Sequence, residues 1–153
     1  MKRIMVYAER CTGCRLCEST CALFNDTVND PSRSRIRIVK KHSVGLAAPV
    51  VCHQCTKPPC LSACPVDAIK KEPGGLVRIE AELCIGCEAC VTECPFGIMI
   101  SVLDTVTKCE LCNGDPQCVK YCATAAIEYG DPETVVQERR AKHGNLLLEE
   151  KEI

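Results

Sequence analysis

The chain has 153 residues and a formal charge of −1, with 16 cysteines, no tryptophan, two phenylalanines and three tyrosines. That length fits one compact domain or two very small ones, and the near-zero charge gives no electrostatic case for nucleic acid. Aromatic volume is so scarce that something other than side chains must fill much of the interior.

In chain order, MKRIMVYAERC has no apolar stretch of signal length and no twin arginine. No run reaches the roughly 20 apolar residues of a membrane span. The expectation is a cytoplasmic chain whose thiols stay reduced rather than pairing as disulfides. The first cysteine group follows, Cys11, Cys14, Cys17 and Cys21, in CTGCRLCESTC. After it comes an insert containing SRSRIRIV, where Arg33, Arg35 and Arg37 alternate with Ile36 and Ile38. Period two predicts an amphipathic strand with a basic face.

The second group is Cys52, Cys55, Cys60 and Cys64, in CHQCTKPPCLSACP. AIKKEPGGLVRIE then reads as a hairpin turning at Gly74–Gly75. The third group, Cys84, Cys87, Cys90 and Cys94, lies in CIGCEACVTECP, and a strand is predicted from Ile98 to Leu103. The fourth group is Cys109, Cys112, Cys118 and Cys122, in CELCNGDPQCVKYC, with a strand predicted from Ile127 to Tyr129. Beyond it, Asp131 as N-cap, Pro132 at the first position and Glu133 in the first turn predict a helix, and Gly144 is placed to stop it. Leu146, Leu147 and Leu148 follow without a cysteine unit to bury them. This tail, residues 131–153, either packs on its own domain or docks on a partner subunit or a second copy of the chain.

Every group ends in Cys-x3-Cys, and no cysteine is left over. CPVDAI, CPFGIM and CATAAI recur after the last three groups, which marks an internal repeat whose units bury their surface against one another. Each unit reads as loop, short helix and strand, an α+β class, and one helical turn puts the two cysteines of Cys-x3-Cys on one face. The run Cys-x2-Cys-x2-Cys-x3-Cys-Pro is the bacterial ferredoxin pattern. Group three matches it throughout, and group one departs only in Ala22 after its last cysteine. Three closely spaced thiolates wrap three corners of a cubane, while the fourth points away to a second cluster. Zinc prefers two Cys-x2-Cys pairs across a long loop. The prediction is four [4Fe–4S] clusters, about sixteen irons per chain.

No catalytic constellation competes with the clusters. His53 lies between Cys52 and Cys55, but its group already has four cysteines, so it is read as a neighbour of the site or a surface residue rather than a ligand. EPGGLV is a turn and not a phosphate loop. Arg15, Lys57, Lys70, Lys71, Lys108 and Lys120 lie near cysteines in sequence and are read as ordinary solvated charges. The chain is expected to conduct electrons rather than catalyse. The alternative of another class is a structural or redox-sensing protein stapled by clusters.

The four-group layout over about residues 3–130 resembles the four-cluster electron-transfer subunits of molybdenum and tungsten oxidoreductases, formate-linked hydrogenases and carbon monoxide dehydrogenases. NDPSRSRIRIV, PVVCHQCTKPPCLSACP and GDPQCVKYC are similar in wording to the small iron–sulfur subunits of tungsten aldehyde oxidoreductases. The resemblance implies two nested ferredoxin-like modules of βαβ type, an inner one at about 48–104 and an outer one at about 1–47 plus 105–130. It also implies ligand sets that cross between groups. Cys11, Cys14 and Cys17 would join Cys122, and Cys109, Cys112 and Cys118 would join Cys21. Cys52, Cys55 and Cys60 would join Cys94, and Cys84, Cys87 and Cys90 would join Cys64. Ala123, where a proline often follows the last cysteine, is a departure affecting packing. The implied partner is a tungsten or molybdenum pterin oxidoreductase, with a hydrogenase, carbon monoxide dehydrogenase or formate dehydrogenase as alternatives. A flavoprotein or NAD-linked subunit would stand at the other end.

Overall fold

The computed structural model describes the backbone of residues 1–149 and the side chains of residues 1–145. Its elements are β1 (Arg3–Val6), α1 (Leu16–Asp26), β2 (Ile36–Lys41), β3 (Leu46–Val51), α2 (Pro59–Ser62), β4 (Ile69–Lys71), β5 (Val77–Ile79), α3 (Ala89–Thr92), β6 (Ile100–Val102), β7 (Thr105–Thr107), α4 (Gln117–Lys120), β8 (Ile127–Gly130) and α5 (Pro132–Glu149). The strands form four antiparallel two-stranded ribbons, β1–β8, β2–β3, β4–β5 and β6–β7. A lone ribbon is at best marginally stable in water, so each must pack on something else. Here that role falls to the helices and the cysteine loops.

Three ribbons are local hairpins, and β1–β8 is not. Its register, from Arg3↔Gly130 to Val6↔Ile127, fastens the start of the cysteine-bearing region to its end. The Gly74–Gly75 hairpin forms as expected, closed by the Gly75 N–H to the Glu72 carbonyl at 2.8 Å. The strand expected from Ile98 to Leu103 is shorter. Ile98 and Met99 are buried before it starts, and Leu103 is 78% exposed in a turn. Leu103 and Asp104 both have positive φ (46° and 62°), the backbone of a two-residue hairpin that returns the chain as β7. The amphipathic strand in the insert is β2, with Ile36 and Ile38 inward. Arg33 sits before it in a 3-10 turn, and Arg37 donates to the Pro31 and Ser32 carbonyls. β3 pairs with β2 through Pro49 opposite Ile38.

A proline after the fourth cysteine limits two of the helices. Pro65 and Pro95 disfavour helix at the cysteine before them, and α2 and α3 last four residues each. Ala22 imposes no such stop, so α1 runs for eleven residues with Cys21 inside it. Ala123 replaces the proline without lengthening α4. The cysteine turn after α2, α3 and α4 is therefore tighter than the expected α-helical one: Cys64, Cys94 and Cys122 donate to carbonyls three residues back.

Two hydrophobic cores result. One gathers Ile4, Cys21, Ile36, Val51, Cys109, Leu111, Cys118 and Ile127. The other gathers Cys60, Ile69, Val77, Cys90, Met99 and Val106. The boundaries expected near 48 and 104 both fall within hairpins, β2–β3 and β6–β7.

α5 starts as expected, with the Glu133 N–H donating to Asp131 Oδ1 at 3.1 Å. It does not stop at Gly144 but continues to Glu149. An interior glycine costs about 1 kcal/mol, which the helix-forming Leu and Glu residues beyond it offset. The side chains of Leu146, Leu147 and Leu148 lie outside the described residues. Among the described residues no helix is long and apolar enough to cross a membrane.

Candidate metal centre

The four cysteine loops share a backbone feature that their sequences conceal. In each Cys-x2-Cys the residue before the second cysteine has positive φ: Gly13 at 69°, Gln54 at 50°, Gly86 at 66° and Leu111 at 57°. Only two of these are glycine. A left-handed residue next to right-handed or extended ones turns successive N–H groups towards one concavity, which suits an anionic centre. A second such position lies three residues after the fourth cysteine, at Asp67, Gly97 and Ala125. There the chain turns back so that the Ala68 N–H donates to Cys64 Sγ at 3.2 Å. Burial raises the Cys122 thiol, but N–H groups of Ile127, Ala126 and Thr124 outweigh it and hold the group below its ordinary value. Cys21, inside α1, takes its N–H from Arg35 in the insert instead, at 3.3 Å.

The third cysteine of each group lies in the following helix, and Cys60, Cys90 and Cys118 are buried. Pairwise helix packing, α1 on α4 and α2 on α3, then brings cysteines of different groups together. Cys52, Cys55 and Cys60 surround one cavity with Cys94. Cys109, Cys112 and Cys118 surround a second with Cys21. Cys84, Cys87 and Cys90 surround a third with Cys64. Cys11, Cys14 and Cys17 cluster at the start of α1, where Cys14 is exposed and the Cys17 thiol is raised by burial, then by the Glu18 charge and by its cysteine neighbours. α4, which precedes Cys122, packs on that helix.

The donor set suits clusters. All sixteen cysteines are free of disulfides, and three cavities are each ringed by four thiols. Burial pushes the Cys17 and Cys109 thiols up to about 12 and Cys90 up to about 11. Such sulfurs become thiolates only when a bound electrophile supplies the opposing charge.

His53 is exposed and stacks on Phe96, ring centroids 4.0 Å apart, over the mouth of the first cavity. Of the cations near cysteines, Arg15, Lys57, Lys70, Lys71 and Lys120 lie at the surface. Lys108 does not: it is 1% exposed, which corrects the solvated reading. Its ammonium donates to the carbonyls of Val77 and Cys109. Gln54, also buried, completes the knot by accepting from the Val77 N–H at 2.9 Å and donating to the Cys109 carbonyl at 2.8 Å. Sequence spacing offered no signal for this junction between the two cores.

Residues 44–132 match the family model of the 4Fe–4S dicluster domain, and residues 8–24 match that of a 4Fe–4S binding domain. The polyferredoxin-like subunit of aliphatic sulfonate oxidoreductase from Pyrococcus furiosus is 39% identical over 125 residues, 80% of this chain and 72% of that one. The thiosulfate reductase electron transfer subunit PhsB of Salmonella typhi is 32% identical over 143 residues, 83% of this chain and 74% of that one. Among solved structures, a chain of the BamBC active-site complex of benzoyl coenzyme A reductase with zinc superposes with a TM-score of 0.51 at 23% identity. It covers 100% of this chain and 98% of its own, a likeness of fold alone.

Proposed function

The chain belongs to the 4Fe–4S dicluster ferredoxin family, and from that membership we propose that it is a non-catalytic electron-transfer subunit of an oxidoreductase complex, holding four [4Fe–4S] clusters. The proposed ligand sets are Cys11, Cys14, Cys17 and Cys122; Cys21, Cys109, Cys112 and Cys118; Cys52, Cys55, Cys60 and Cys94; and Cys64, Cys84, Cys87 and Cys90. The observation that supports this reading most directly is the cavity where Cys94 of the third repeat meets Cys52, Cys55 and Cys60 of the second. Bound clusters supply reversible one-electron storage. The chain's own residues do the rest. The crossed fourth cysteines tie neighbouring sets together at short range. The N–H donors of Ala68 and Arg35 lower the electron density on Cys64 and Cys21. Burial of Cys60, Cys90, Cys109 and Cys118 keeps water from the sulfurs.

The catalytic partner in this proposal is a tungsten or molybdenum pterin oxidoreductase, and a soluble carrier or flavoprotein stands at the other end. Two relatives named as subunits of oxidoreductases or reductases support the coarser part, a catalytic partner. Anaerobic purification should yield about sixteen irons and as many acid-labile sulfides per chain. Stoichiometric zinc without sulfide overturns the cluster reading. The native complex, assayed for tungsten, molybdenum, nickel and flavin, tests the partner: nickel without tungsten or molybdenum replaces it with a hydrogenase or carbon monoxide dehydrogenase.

A further inference from the structure

A buried ammonium needs an opposing charge, because carbonyl dipoles alone do not offset its lost hydration. Among the described residues no carboxylate pairs with Lys108. Cysteines of two sets lie beside it. It lines the cavity ringed by Cys52, Cys55, Cys60 and Cys94, and its Nζ reaches the carbonyl of Cys109, from the neighbouring set, at 2.9 Å. Near the Cys11 set the buried charge has the opposite sign. Glu18, beside Cys17, is 2% exposed, and its partner Arg15 sits 3.0 Å away at the surface.

We propose that Lys108 is a positioning residue for charge, raising the reduction potentials of the clusters held by the Cys52/Cys55/Cys60/Cys94 and Cys21/Cys109/Cys112/Cys118 sets above that of the Cys11/Cys14/Cys17/Cys122 set. The inference rests on the ligand assignment above. A fixed cation lowers the energy of the state carrying one more electron, and no proton or bond is exchanged. Electrons entering through the Cys11/Cys14/Cys17/Cys122 set therefore run downhill towards the junction of the two cores.

The test is a mediated redox titration of the loaded protein followed by electron paramagnetic resonance, the electron coming from the mediator dye. Lys108→Met and Lys108→Gln remove the charge, and Gln keeps an N–H donor for the carbonyls. Iron and sulfide are counted first: a wild-type protein without them strikes the ligand assignment itself. In loaded variants the one-electron reduction equilibrium of the two flanking clusters should fall at least tenfold, 59 mV, while Lys70→Met, at the surface, shifts nothing. Cys55→Ser and Cys112→Ser identify which signals belong to those clusters. Unchanged potentials, or equal shifts at all four clusters, overturn the proposal. Should neither neutral variant load, the wild-type titration decides: a Cys52-set cluster titrating below the Cys11-set cluster overturns it as well.

Discussion

Replacing Gln54 with leucine should loosen the hold of the chain on its clusters without touching a ligand. Gln54 is 3% exposed, and its amide spans the two cores, from the Val77 N–H to the Cys109 carbonyl. Leucine is close in volume but offers no polar atom. The Cys109 carbonyl retains Lys108, so its loss is an ordinary hydrogen bond, about 0.5–1.5 kcal/mol. The Val77 N–H, on a residue 1% exposed, is left without a partner, which costs about 1–3 kcal/mol. Together these come to about 1.5–4.5 kcal/mol. At about 1.4 kcal/mol per tenfold, the opened state becomes roughly 10-fold to 1,600-fold more populated. Cluster loss from an opened state in rapid equilibrium tracks that population. Anaerobic bleaching of the visible cluster absorption in guanidinium should accelerate by the same factor. Bleaching at the wild-type rate would refute the claim that the Gln54 bridge holds the cores together.

Cys122→Ser should perturb the spectroscopic signal of the Cys11/Cys14/Cys17 cluster and spare that of the Cys109/Cys112/Cys118 cluster; the reverse selectivity refutes the crossed pairing. Gly86→Ala puts a Cβ 2.4 Å from the Asp104 carbonyl oxygen, whereas Gly13→Ala meets the flexible end of Lys40 at 2.9 Å and the Ala47 Cβ at 3.0 Å. Both carry about 1–2 kcal/mol of left-handed strain, so Gly86→Ala should retain less iron than Gly13→Ala, and equal loading contradicts the steric difference. Glu18→Gln keeps an acceptor for the Ile38 N–H, 2.8 Å away, and removes the anion beside Cys17; the midpoint potential of the Cys11-set cluster should rise, and an unmoved midpoint argues against electrostatic control at that end. Deleting residues 144–153 tests whether the tail docks on a partner: pull-down of the catalytic subunit should weaken, and unchanged assembly removes the tail from the interface.

Much of the site could be read from spacing because ligand spacing is a local covalent constraint. Three cysteines within a few residues must face one centre whatever surrounds them, and the four groups announce their chemistry before any fold exists. The Gly74–Gly75 hairpin was legible for the same reason, since glycine is the residue a tight turn asks for. Other turns were not. Leu103, Gln54 and Leu111 adopt left-handed backbone that their side chains do not favour, so contacts made elsewhere in the fold must hold them there. The tail misled in the opposite way: Gly144 looks like a stop, yet the residues beyond it continue the helix to Glu149.

Lys108 marks the limit of local reading most sharply. In TVTKC it follows a short alternating strand and looks like any solvated lysine. Its burial depends on β5, thirty-one residues earlier, and on which cysteine loops meet around it. Metal-binding capacity was thus written into neighbouring residues, where chain connectivity alone brings donors together. Which cavities Cys21, Cys64 and Cys94 line, and the burial of the Lys108 charge, were decided by long-range packing, because an electrostatic environment exists only once distant segments have excluded water from between them.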